Sequence, residues 1–287
     1  MLVIVSVMRE SDSKSSKAND KYREVKTTYA SLPFNKYQSD RFSQNGEDGV
    51  IAEILKRLDL LKEKSWCVEF GAWDGKHLSN TFALVDGHDF RAVFIEGDRT
   101  RFNDLLETAT QYPQIVPVCA YVSAVSDDSQ SLDKILMATG IPSSFTLLSI
   151  DIDSFDLDVW ESLTHYEPIV VVIEINSSVP PGIVWRHSRN TQGNTFSATC
   201  NVASRKGYTL VCHTGNLVFV RNDHVGNLNI EDRYVNYPEL LFQFDSEWLA
   251  PELFTISTSR TLLEFISNAL QKITPKLLKR IIRRVLR

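Results

Sequence analysis

Five apolar runs recur along the middle of the chain, at residues 66–70, 90–95, 115–121, 145–150 and 169–173, and a stretch of helical spacing separates each from the next. This alternation constrains the fold more than any other feature. Apolar strands spaced by helical patterns of roughly 10–15 residues imply right-handed βαβ units and a parallel sheet. The run 169–173 is β-branched throughout, as suits a strand covered on both faces. Two further runs, 208–212 and 217–220, flank His213-Thr214-Gly215-Asn216 and close the sheet as an antiparallel hairpin. Helices are expected from Val50 to Leu61, from Arg99 to Tyr112, around 132–139, from Phe155 to Leu163 and over 196–206.

With 287 residues the chain is one large domain or one and a half. It divides into a loose polar arm (1–32), the alternating domain (33–223), an aromatic extension packed on it (224–262) and a basic tail (263–287). In the tail, Lys276, Lys279, Arg280, Arg283, Arg284 and Arg287 interleave with Leu277, Leu278, Ile281, Ile282, Val285 and Leu286, and no acid follows Glu264. Such a helix suits an anionic membrane or a partner groove, or docks on its own domain with its cations snorkelling. A net charge of −5 disfavours nucleic acid as a partner. The four cysteines form no C-x-x-C pair, and Cys67 and Cys119 fall in strands expected to be buried, so they read as small hydrophobes in a reducing compartment. Residues 2–7 are too short an apolar run for a secretion signal, and no run approaches the roughly 20 residues of a membrane span. The expected location is the cytoplasm, peripheral at the inner face of the membrane if the tail docks there.

The stretch 66–75 reads as a buried strand, then Glu69, then a turn at Gly71 and Gly75, then a helix start. Its Gly-x-x-x-Gly spacing is not the dinucleotide fingerprint. Glu96 closes the second run at about the separation, roughly 20 residues, at which a carboxylate meets a ribose diol. Ser43 or Asn45 can cap the helix that begins near Val50, with Glu47 or Asp48 in its first turn. Alternatively Gln44, Glu47 or Asp48 reaches over a ligand at the Gly71 turn. Between Lys76 and Thr81, backbone N–H groups at a helix start attract carboxylates or phosphates, and Ser79 and Asn80 add side-chain donors. The fourth and fifth strands end in Asp151 and Asp153, and in Glu174 and Asn176. These oxygens suit Mg²⁺ or another hard cation, with Asp151, Glu174 and Asn176 as ligands. Equally, Asp151 or Asp153 serves as a general base with its pKa raised by desolvation, or the group merely caps helices. His187, in the long connection 177–194, and His213, at the hairpin turn, are proton carriers near neutral pH or simply solvated. No Gly-x-Ser-x-Gly, P-loop or His-Glu-x-x-His is present.

In order, the chain carries Ser43-Gln44-x-Gly46-Glu47-Asp48, Val68-Glu69-Phe70-Gly71-Ala72-x-Asp74-Gly75, Ser79-Asn80-Thr81 and Ile95-Glu96-Gly97-Asp98, then Ser149-Ile150-Asp151-Ile152-Asp153 and Val172-Ile173-Glu174-Ile175-Asn176. From about residue 42 to 222 this series resembles the FkbM-like branch of the S-adenosylmethionine-dependent methyltransferases. The resemblance implies an α/β fold: a Rossmann-like class I methyltransferase sheet, mostly parallel, with an antiparallel strand near the end and helices on both faces. It implies that Glu69, Gly71 and Gly75 form the first cofactor motif and that Glu96 holds the ribose hydroxyls. Gln44, Asp74, Ser79 and Asn80 also join the cofactor set, the last three near the methionine moiety, while Ala120 and Tyr121 flank adenine. Ala72 and Trp73 depart from the Gly-rich centre of the wider class.

The implied activity is O-methylation of a sugar, glycoconjugate or other small-molecule hydroxyl, with S-adenosylmethionine as donor and Mg²⁺ as an accessory. Asp151, Asp153 and His187 are the residues expected to align and deprotonate the acceptor. Two rival readings are a degenerate methyltransferase fold serving as a binding or membrane-adaptor module, and a nicotinamide oxidoreductase.

Overall fold

The computed structural model describes residues 32–244. The runs form β1 (Trp66–Phe70), β2 (Arg91–Glu96), β3 (Ile115–Cys119), β4 (Ser144–Ile150), β5 (Glu167–Glu174), β6 (Tyr208–His213) and β7 (Asn216–Arg221). They make one seven-stranded sheet in the order β3-β2-β1-β4-β5-β7-β6. The strands from β1 to β5 pair in parallel, and β7 runs antiparallel between β5 and β6. This is the expected mostly parallel Rossmann-like sheet, with an antiparallel strand near its end.

Helices α1 (Glu47–Arg57), α2 (Phe82–His88), α3 (Arg99–Gln111), α4 (Leu132–Met137), α5 (Asp156–Ser162) and α6 (Phe196–Arg205) cover it. Strand parity sorts the core into two layers. Cys67, Phe94, Leu147, Val170, Val172 and Val218 pack with Val50, Ile51 and Ile54 of α1, with α2 and with Leu105 of α3. Val68, Ile95, Leu148, Val171, Ile173 and Phe219 pack with α4, α5 and α6. Alternate residues of β5 thus enter opposite cores, which is why its sequence is apolar at every position from 168 to 173. Trp160 of α5 is fully buried, with Tyr208 and Phe219 at ring separations of 5.5 and 5.4 Å.

Two local expectations change. The helix after β1 begins at Phe82, not at Gly75. Asp74 takes the N–H groups of Lys76 and His77 into an Asx turn, and Leu78 is left-handed at φ 57°, so 71–81 is a loop. The helix N-terminus argument for residues 76–81 therefore falls. At α1 the N-cap is Gly46, left-handed at φ 89°, not Ser43 or Asn45. Ser43 still serves the first turn, since its Oγ accepts the Asp48 N–H while Asp48 Oδ2 accepts the N–H of Arg41, Phe42 and Ser43. Cys67 is buried as expected, but Cys119 is exposed, because it ends edge strand β3.

Of the extension, residues 222–241 form short helices that set Leu228, Tyr234 and Leu241 into the two cores. The arm before residue 32, the extension from residue 245 onward and the basic tail lie outside the described residues. Among the described residues, no helix is long and apolar enough to cross a membrane.

The turn after β1 depends on glycine. Gly71 has φ 81°, and a Cβ there would sit 1.8 Å from the carbonyl oxygen of Asp151; Gly140, at φ 75°, has nothing within 4 Å. Gly140→Ala should therefore cost about 1–2 kcal/mol, the left-handed penalty alone, and Gly71→Ala at least twice as much in urea unfolding. Equal costs would show that the close approach does not matter.

Candidate functional site

The strand order reverses between β1 and β4, and ligands of open α/β sheets bind outside the carboxyl ends of strands at such a point. The β1 turn and the β4 acids meet there, with Gly71 lying against the Asp151 carbonyl.

On one side of this point is Glu96. Its Oε2 accepts the Trp73 N–H at 2.9 Å and its Oε1 the Asp98 N–H at 2.7 Å. Gly71 and Ala72 both donate backbone N–H groups to the Ile95 carbonyl, at 3.0 and 3.1 Å. The Gly71 turn and Glu96 are thus one unit. The carboxylate is held rigidly, and each oxygen keeps a further lone pair. Around it, Gly71 and Trp73 are exposed, and the Arg101 guanidinium lies 4.7 Å over the Trp73 ring. The Tyr121 ring packs so closely on Gly97 that a Cβ there would be 2.3 Å away, and Ala120 donates its N–H to the Glu96 carbonyl.

Other residues expected to touch a cofactor hold the loop. Buried Glu69 accepts from Ser79 Oγ (2.6 Å), Thr81 Oγ1 (2.5 Å) and the Asn80 N–H (3.1 Å); burial raises its pKa. Asn80 Nδ2 donates to Ser149 Oγ on β4. Gly75, at φ 78°, is the one residue type that fits against Leu105 and Phe94. Gln44 is exposed. Glu47 stands in the first turn of α1, as one reading of the sequence placed it, and its side chain reaches the hairpin rather than the Gly71 turn, accepting from Thr214 Oγ1 (2.6 Å) and Asn216 Nδ2 (3.0 Å).

On the other side of the switch point, one ligating oxygen from each of Asp151, Asp153 and Glu174 lies within 4.8 Å of the others. Buried Asp156 aims this loop by accepting the N–H groups of Ile152 (2.7 Å) and Ser154 (2.8 Å). Burial, then the charges of Asp156 and Asp153, push the Asp151 pKa up to about 7. Burial, then Asp151 and Asp153, push that of Glu174 up to about 9.

Asn176 does not join them. Its Oδ1 accepts from the Ser178 N–H and Oγ, and its Nδ2 donates to the Gln192 carbonyl, because β5 has ended and the chain turns away. His187 also stays outside the cluster. Its ring meets the edge of Phe155 at 5.1 Å and its Nδ1 is buried without a partner. His213 is no proton carrier near neutral pH: burial pushes its pKa down to about 3. Its Nδ1 accepts the Gln243 N–H, so Nε2–H donates to Ser177 Oγ. The sequence reading gave Asn216 no part in this edge; its place opposite Glu174 exists only once β7 pairs with β5.

No protein-family model and no curated protein matches the sequence. Solved structures are similar at low identity. TrmK of M. capricolum in complex with S-adenosyl-homocysteine is 12% identical over 80% of this chain and 92% of its own, at a TM-score of 0.41. The CurJ carbon methyltransferase is 12% identical over 60% of this chain and 52% of its own, at 0.42, so the chain spans about half of it. TYW2 of M. jannaschii in complex with AdoMet is 15% identical over 62% and 78%, at 0.36. Likeness at this level adds nothing to the strand order, which stands on the sheet itself.

A carboxyl whose pKa is raised on folding takes up a proton, so its contribution to stability falls as pH rises from its unfolded pKa to its folded one. For Glu174 that window runs from about 4.3 to about 9. In chelator, Glu174→Gln should melt above wild type, with a gap that widens from pH 5 to pH 8 by roughly 2–4 °C per kcal/mol relieved. A gap that is constant or negative in calorimetric scans would contradict the crowding of these acids.

Proposed function

We propose that the protein is an S-adenosylmethionine-dependent O-methyltransferase of the FkbM-like type, acting on a hydroxyl of a sugar or glycoconjugate. The observation that carries this reading is the Glu96 carboxylate, fixed by the Trp73 and Asp98 N–H groups beside the exposed Gly71 turn at the switch point. A ribose diol needs two acceptors in a fixed plane, and this carboxylate presents them already oriented. The exposed Tyr121 ring beside Gly97 gives a flat face for a nucleobase.

The donor, when bound, supplies a methyl group on a positively charged sulfur that is already reactive. What remains for the protein is to align the acceptor oxygen and take its proton. Asp151 suits the proton transfer, because with a pKa of about 7 it accepts a proton at neutral pH without being permanently protonated. It stands across the Gly71 contact from the Glu96 unit, and the carboxylates around it favour a cationic sulfonium. The long 177–194 connection, tied to α5 by Arg186 to Asp158 and Glu161, leaves Phe155 and Val184 exposed as acceptor-facing apolar surface.

Calorimetry with S-adenosylmethionine and S-adenosylhomocysteine is the direct test, and folded protein that binds neither at millimolar concentration ends the reading. Glu96→Gln should weaken donor binding about ten-fold, the worth of one charge-assisted hydrogen bond. Asp151→Asn should leave donor affinity within two-fold and lower labelled methyl transfer to a panel of glycan acceptors by roughly 10²–10⁴. Unchanged transfer would remove Asp151 from the proton step.

A further inference from the structure

Among the described residues, no lysine or arginine forms a salt bridge with Asp151, Asp153 or Glu174. Asp151, Asp153 and Glu174 bring oxygens within 4.8 Å of one another, and the leading charges acting on Asp151 and Glu174 are other carboxylates. An all-oxygen donor set of this kind selects hard cations over soft ones.

A second observation points to a ligand at the same place. Asn216 is only 6% exposed and stands directly opposite Glu174 in the β5–β7 register, so the two side chains leave the same face of the sheet. Asn216 Nδ2 donates to Glu47 Oε1 at 3.0 Å, which fixes the orientation of the amide. Among the described residues, its buried Oδ1 then has no hydrogen-bond partner. Leaving such an oxygen unpaired is unfavourable, because its hydration is lost and nothing replaces it. An amide oxygen cannot donate to a carboxylate, but it can coordinate a hard cation.

We propose that Asp151, Asp153 and Glu174 form a site for one hard divalent cation, with Asn216 Oδ1 turned toward it as a further oxygen donor. The set differs from the one expected from sequence: Asp153 and Asn216 replace Asn176, whose amide is spent on Ser178 and Gln192. The role of the cation rests on the methyl-transfer reading: it would hold the acceptor oxygen and lower its pKa. Its binding does not depend on that reading.

The test uses the full chain without donor. Mn²⁺ titration followed by electron paramagnetic resonance should find one site per chain, displaced by Mg²⁺. Asp153→Asn and Glu174→Gln should each weaken Mn²⁺ more than about ten-fold. Asp153 is exposed and left-handed at φ 56°, which Asn adopts readily, so that variant keeps the fold even if Glu174→Gln does not. Asp158→Asn, an acid of α5 paired with Arg186, should leave Mn²⁺ affinity unchanged. Folded protein that binds no Mn²⁺ at millimolar concentration, or Asp153→Asn that binds it as wild type does, overturns the site. Calorimetry with S-adenosylmethionine separates the two ideas. Mn²⁺ bound without donor binding sinks the methyltransferase reading alone, and donor binding without Mn²⁺ sinks the cation alone.

Discussion

The backbone of Gly71 lies against the carbonyl of Asp151, and the arrangement of the sheet edge follows from that contact. Only a residue without a Cβ lets the β1 turn come so close to the end of β4. Because the turn is pressed there, its N–H groups reach the Ile95 carbonyl and that of Trp73 reaches Glu96. One steric allowance thereby sets a fixed carboxylate and a crowded group of acids on either side of a single point.

The acids of this edge divide by how their charge is met. Glu69 and Glu47 are buried but each accepts three donors, from the 79–81 loop and from the 45 and 214–216 segments respectively. Asp156 accepts two backbone N–H groups. These carboxylates hold the fold, and hydrogen bonds meet part of their desolvation, although burial still raises the pKa of Glu69 and Asp156. Among the described residues, Asp151 and Glu174 have no such set of donors, and burial beside like charges raises their pKa values to about 7 and about 9. The uncompensated pair is where proton transfer or cation binding is chemically available, since an acid already satisfied by the fold has little left to offer a ligand.

Element order and the two-faced burial of β5 were legible in the amino-acid string, because these depend on patterns within one run. The period of two in residues 169–173 and the period near 3.6 in α1 are local, and so is the pairing of a strand end with an acid at Glu96 and Asp151. Which of the strand-end acids come close together was decided only by the folded chain. Asn176 and Asp153 look alike as strand-end oxygens, and only the end of β5 and the bonds from Asp156 separate them. Glu47 and Asn216 are 169 residues apart, and His213 is an ordinary loop histidine until the α6 and 242–243 segments bury it. Register, desolvation and hydrogen-bond competition arise from chain segments remote in sequence, so no local pattern encodes them.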